Sequence, residues 1–148
     1  MKKGQVRTIY IRQEQADIRF QCDGVNYGDG NSWFSLTGAQ LTAAGAKTRP
    51  GAMGHEVELG GFATRSDAVL EIQNSEIMVG QHPRLEHAIG KGHCRVSVQY
   101  LDDYGAAISG ASFAIKGMLK GAHLPESHTE NAAVGMYTVT VGCDELAA

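Results

Sequence analysis

The residues best suited to chemistry are six histidines (His55, His82, His87, His93, His123, His128), three cysteines (Cys22, Cys94, Cys143) and the close carboxylates Glu56 and Glu58. A zinc site needs ligands whose spacing converges, such as two histidines at i and i+4 on one helix face. His82 and His87 are five apart with Pro83 between them, and His93 and Cys94 are adjacent, so on a strand they point to opposite faces. His55-Glu56 lacks the second histidine of an HExxH helix and sits in strand-like sequence. Glu56 and Glu58 share one strand face about 7 Å apart. That spacing suits paired catalytic carboxylates, but a solvated strand face is its commoner use. No GxSxG elbow is present, and no Cys/His pair has a telling context. Gly24, Gly28 and Gly30 form a GxxxGxG run without the Lys-Ser/Thr or following helix of a phosphate loop, which leaves a turn. The expectation is a protein with no catalytic residues, no metal and no cofactor.

The elements around these residues read as strands. Ile18, Phe20 and Cys22 alternate with polar neighbours, as do Val57 and Leu59, then Ala68, Leu70 and Ile72. The pattern returns at Val96, Val98 and Tyr100, at Phe113, Ile115 and Leu119, and at Tyr137, Val139, Val141 and Cys143. A period of two describes strands with one face on a core. Less regular strands are expected at Val6–Ile11 and Trp33–Thr37. Asp23 to Asn31 is dense in residues that tolerate positive φ, and Asp102-Asp103-Tyr104-Gly105 reads as a hairpin turn. One helix is expected, with Pro83 at its first position, Leu85, Ala88 and Ile89 on one face, and Gly90 as its stop. The fold class is mainly β: an antiparallel β-sandwich or partial barrel with one short α-helix and a long loop, in a single domain over residues 1–148.

Composition fits that class. The chain is 43% hydrophobic and 20% charged, with 19 glycines and 3 prolines, as in a globular protein of many tight turns. The formal charge of -3 excludes the basic surplus of a duplex-binding protein. Three cysteines without a CxxC pair read as reduced core residues of a protein made in a reducing cytoplasm. Met1-Lys2-Lys3-Gly4 has no apolar run after it, so no signal peptide is expected, and no run reaches membrane-spanning length.

The segment from Gly38 to Gly54, about seventeen residues, is poor in strand signal, and a loop of that length in a compact domain usually has a function. It is rich in Ala, Thr and Gly, cannot build its own core and must lie on something. An open sandwich also exposes edge strands able to recruit another chain.

These stretches, taken in order, resemble a known family. Asp23-Gly24-Val25-Asn26-Tyr27-Gly28 with Trp33-Phe34 is followed by Thr42 through Thr48-Arg49-Pro50-Gly51-Ala52-Met53. Leu59-Gly60-Gly61 and Thr64-Arg65-Ser66-Asp67 come next. This succession resembles the tail tube proteins of long-tailed, siphovirus-type bacteriophages, whose pattern is a DGVDYG-W turn, an RPGGM loop end and a GG-x-x-x-R-x-D segment. Ala52 stands for the second glycine, and Asp29-Gly30-Asn31 stretches the spacing to Trp33. The resemblance covers nearly the whole chain.

It implies a homo-hexameric ring, stacked into a hollow tube through which the genome passes without specific binding. Its partners would be the tail terminator, tape measure and distal tail proteins, in a virion tail assembled in the bacterial host cytoplasm and away from membranes. Four strands from each of six subunits would close a twenty-four-stranded barrel. At about 4.8 Å per strand its circumference is roughly 115 Å and its backbone diameter at least about 37 Å, which admits a duplex. Six chains at -3 each give -18 per ring, and a wall biased to Asp and Glu repels phosphate. Glu56, Glu58 and Glu71 are the lumen-facing candidates. The resemblance also implies that the long loop touches the adjacent subunit or ring, through Thr42, Lys47, Thr48, Arg49, Pro50 and Met53. Tube subunits of a tailocin, a gene-transfer particle or a secretion system share the fold. A monomeric ligand-binding β-barrel and a sandwich hydrolase are the rival classes.

Overall fold

The computed structural model describes residues 8, 10–48 and 56–144. Its strands are β1 (Ala16–Cys22), β2 (Val25–Tyr27), β3 (Ser35–Gly38), β4 (Leu41–Thr48), β5 (Val57–Arg65) and β6 (Ala68–Gln73). The helix α1 (Glu76–Ala88) follows, then β7 (His93–Leu101), β8 (Ala107–His123) and β9 (Met136–Cys143). Seven strands form one antiparallel sheet in the order β2-β1-β7-β8-β9-β6-β3, and β4-β5 form a separate two-stranded ribbon.

The long strand β8 makes this sheet a sandwich. Its first half pairs with β7, from Leu101↔Ala107 to His93↔Met118, and its second half pairs with β9, from Gly117↔Cys143 to His123↔Thr138. At the changeover, Gly117 approaches the Gly142 backbone so closely that a Cβ would collide with the carbonyl oxygen. A bulge between Leu119 and Gly121 adds curvature. The sheet thus folds over, and its alternating apolar residues meet in one core: Phe20, Val96 and Ile115 on one half, Leu70, Leu119, Tyr137, Val139 and Val141 on the other.

The sheet does not close into a barrel, but residues 32–34 join its two halves. Ile18 N–H donates to Ser32 Oγ (2.9 Å), Trp33 N–H to the Ile18 carbonyl (2.9 Å), and Phe34 N–H to the Glu71 carbonyl (2.8 Å). Trp33 is buried edge-on against Phe20, and its Nε1–H donates to the Tyr27 carbonyl at 3.1 Å. The stretch expected as a turn has positive φ at Asp23, Gly24, Gly28 and Gly30, but its middle, Val25–Tyr27, is the short strand β2, paired with the end of β1.

Helix α1 begins seven residues before Pro83, which lies inside it and not at its first position. Ser75 is the cap, its Oγ accepting from Met78 N–H, and Glu76 places a carboxylate in the positive first turn. Gly90 ends the chain's helical course with φ +84, as its sequence position foretold. The helix seals the mouth of the folded sheet with Met78 and Leu85, both fully buried. The strand expected over Val6–Ile11 is absent at Tyr10 and Ile11, and its other residues, apart from Thr8, lie outside the described ones.

Candidate assembly surface

The segment from Gly38 to Gly54 is not strand-poor: Leu41–Thr48 is a strand, paired antiparallel with Val57–Arg65. The sequence hid this because Ala43-Ala44-Gly45-Ala46 carries no apolar alternation. Backbone hydrogen bonding holds the strand where no core face selects side chains.

The ribbon continues a hairpin rooted in the sheet. Gly38 faces Ala68 in the β3–β6 pair, and Leu41 faces Arg65 three positions further along each strand. The junction is sharp. Gly38 has φ +79 and no room for a Cβ against the Asp67 carbonyl oxygen, and Ala39 has φ +58. It is also firmly bonded. Ala39 N–H donates to the Asp67 carbonyl (3.2 Å), Ser66 N–H to the Gln40 carbonyl (3.0 Å), Gln40 N–H to Ser66 Oγ (3.0 Å), and Arg65 Nη1 to the Ala39 carbonyl (2.8 Å). One hairpin therefore has its base in the core and its outer part held off the sheet.

That outer part is exposed. Leu41 and Leu59 are 50% and 52% accessible, and Thr42, Ala43, Gly45, Lys47 and Glu58 are exposed as well. Lys47 and Glu58 stand opposite each other across the two strands. A two-stranded ribbon is marginal in water on its own, and neither β4 nor β5 has a third strand beside it among the described residues. Among the described residues the ribbon thus keeps unpaired edges and exposed leucines, the features of an element whose burial its own fold has not completed.

A second edge lies on β8. Before Lys116 its outer side faces no strand among the described residues, since β9 pairing starts at Gly117. Ile108 to Ala111 bulge around Gly110 (φ +78), and the Gln99 side-chain amide donates to the Ile108 and Ala111 carbonyls at 3.0 and 3.3 Å. Tyr104, at the tip of the β7–β8 hairpin, is almost fully exposed.

Of the expected interface residues, Thr42 and Lys47 are exposed on the ribbon, and Thr48 ends β4. Arg49, Pro50 and Met53 lie outside the described residues. The three lumen candidates divide: Glu58 lies on the ribbon and Glu56 immediately precedes it, whereas Glu71 is half-buried on β6, opposite Ser35 and Thr138. The outer face of β1, β7 and β8 is basic. Arg95 faces Gln21 on one side and Lys116 on the other, and Arg19 is ion-paired to Asp17 at 2.9 Å. A half-open hollow of about 490 Å³ beside Arg19, Asn26 and Asn31 is the concavity of that face.

His55 lies outside the described residues. Among the described residues no group of three or more His, Cys, Asp and Glu could hold a metal ion. His82 ties helix to sheet: its Nδ1 is 2.8 Å from the Tyr137 hydroxyl and its Nε2 2.8 Å from Glu86 Oε2, one turn on. Burial, with the Glu86 charge adding to it, pushes the Tyr137 phenol up to about 12. This contact was invisible in the sequence, since residues 82 and 137 belong to different elements.

No protein-family model matches the chain, and no curated protein does. Its fold, however, has close counterparts among solved structures. One is the PVC sheath/tube terminator of an extracellular contractile injection system, at TM-score 0.63 and 9% identity, covering 86% of this chain and 89% of that one. Another comes from the baseplate of the anti-feeding prophage (TM-score 0.64, 11% identity, 94% of each chain), and a third from its tube-terminating cap (0.65, 10%, 95% and 91%). The likeness is one of fold, and it extends over nearly the whole chain.

Proposed function

We propose that this chain is a structural, non-enzymatic tube subunit of a phage-like particle. Copies assemble into six-membered rings that stack into a hollow conduit. The observation that carries the reading is the β4–β5 ribbon: rooted in the sheet through Gly38, Ala39, Gln40, Arg65, Ser66 and Asp67, yet exposed at Leu41, Thr42, Glu58 and Leu59 and unpaired at both edges among the described residues. A head-to-tail contact that closes by rotation yields a ring, and a second contact along the axis yields an open-ended stack. In this arrangement Thr42, Lys47, Thr48, Arg49, Pro50 and Met53 contact the adjacent subunit or ring, and Glu56 and Glu58 travel with them into that contact. Glu71 is the remaining lumen candidate. Its face, shared with Ser35, Thr37, Thr138 and Thr140, lacks the Arg95–Lys116 cationic row, and a wall that lets DNA slide should carry no such row.

The similar structures named above come from a contractile injection system and the anti-feeding prophage, which favours the tube of a contractile particle, tailocin-like or injecting, over the siphovirus tube. A terminator and a baseplate are then the partners at the two ends, and the particle's assembly site is the bacterial cytoplasm. Negative-stain microscopy of concentrated protein tests the proposal: rings about one subunit thick, or tubes, support it, and particles that stay single and compact contradict it.

A further inference from the structure

Cys22 on β1 and Cys94 on β7 stand directly opposite each other. The next pair along, Asp23 and His93, is joined by the Asp23 N–H bond to the His93 carbonyl at 2.9 Å. Ladder bonds in an antiparallel pair alternate, so no backbone bond joins Cys22 to Cys94. Such unbonded pairs bring their Cα atoms to about 4.5 Å, inside the roughly 4.4–6.8 Å range a disulfide requires. Opposed residues point to the same face, and both side chains are buried in the core as free thiols. Gly92 leaves space for them: a Cβ there would lie 2.6 Å from Cys22 Sγ, and the Cys94 Sγ is 4.0 Å from the Gly92 carbonyl.

The third thiol lies in the same transverse row. Cys94 faces Gly117, and Gly117 faces Cys143. Two strand spacings, about 9.6 Å, separate Cys143 from Cys94, too far for a bond. Geometry therefore selects one pairing of three.

We propose that Cys22 and Cys94 are a latent cross-strand disulfide site, closed by a small-molecule disulfide such as oxidised glutathione. One cysteine, as thiolate, attacks a sulfur of the oxidant and releases one small thiol, leaving a mixed disulfide. The other cysteine then attacks the protein sulfur of that mixed disulfide and releases the second small thiol. Two protein thiols are oxidised, one small disulfide is reduced to two thiols, and the two protein protons leave with them. Burial raises both thiols, and the Asp23 charge adds to it, so the assembled core reacts slowly. The bond forms while β1 is still docking on β7, or when the β1–β2 edge opens. On the tube reading above, it would harden a subunit that has left a reducing cytoplasm, but the pairing itself does not depend on that reading.

The test refolds the full chain from denaturant in a glutathione buffer with the oxidised form in excess, against a control with a phosphine reductant. Intact mass and peptide mapping after alkylation give the pairing. The expected product has lost two hydrogens, links Cys22 to Cys94 and carries alkylated Cys143. Its Tm lies on the order of 10 °C above the control, because the bond closes a loop of roughly seventy residues. A bond that includes Cys143, or three alkylated cysteines after oxidative refolding, overturns the site. Cys22→Ser should abolish the bond. If that variant does not fold, Cys143→Ser decides, since it must keep the bond. These readouts come from single chains, so failure of tube assembly leaves them unaffected.

Discussion

Trp33 and Phe34 are neighbours in sequence yet donate their backbone N–H groups to opposite halves of the sheet, Trp33 to Ile18 on β1 and Phe34 to Glu71 on β6. A single peptide step fastens the two halves of the sandwich at the side opposite β8. The Trp33 side chain turns into the core, while Phe34 points out and is 68% exposed.

Trp33→Ala should therefore cost about 3–5 kcal/mol, the price of a large buried aromatic with its Tyr27 hydrogen bond. Phe34→Ala should change stability by less than about 0.5 kcal/mol. Urea unfolding of both variants checks the contrast, and equal losses would contradict the packing role of the Trp33 side chain.

The phenol of Tyr137 gives a pH signature. Its value rises from 10.0 to about 12 on folding, so the folded state favours the neutral form. The stability from this group is complete below pH 10 and disappears as pH climbs from there towards about 12. Cys22, Cys94, Cys143 and Tyr27 shift in the same direction, so the wild-type curve alone is a composite. Tyr137→Phe isolates the contribution. It should lose about 1–2 kcal/mol at neutral pH, where His82 Nδ1 forfeits its partner, and the gap to wild type should narrow in the alkaline range. A constant gap from pH 8 to 12 would contradict the assignment.

Most elements that the sequence announced have one face on the core; β5 is the exception, since Val57 and Leu59 alternate with Glu56 and Glu58 yet Leu59 is exposed on the ribbon. Ile18, Phe20 and Cys22, or Tyr137, Val139 and Val141, alternate because burial selects every second residue. β4 has no such face, and its Ala- and Gly-rich run gave no periodic signal. The helix start was masked because Pro83 is a strong N1 signal, whereas the true cap, Ser75, precedes Glu76 by one residue and depends on a single bond to Met78. Contacts such as His82–Tyr137 and the row Cys22, Cys94, Gly117, Cys143 depend on strand register, which no local pattern encodes.

Gly38 is where the ribbon leaves the sheet. Gly38→Ala forces a Cβ against the Asp67 carbonyl and a left-handed backbone on alanine. A loss of about 1–3 kcal/mol is expected, with a folded core by circular dichroism and fewer assembled particles by sedimentation. Unchanged stability and assembly would show that the junction is not a constraint.

Deleting Ala43–Lys47 removes the middle of β4, whose ladder runs to β5 alone among the described residues. The remaining chain should stay folded, with a cooperative thermal transition, and no longer form rings or tubes. Loss of the fold itself would mean that the ribbon supports the core and is not an assembly arm.

The most direct measurement is electron microscopy of the purified, concentrated full chain, with analytical ultracentrifugation of the same sample. Six-fold rings and stacked tubes, with density for β4–β5 lying against a neighbouring subunit, are the predicted result. A monodisperse monomer at every concentration, with the ribbon folded back on its own sheet, would contradict self-assembly.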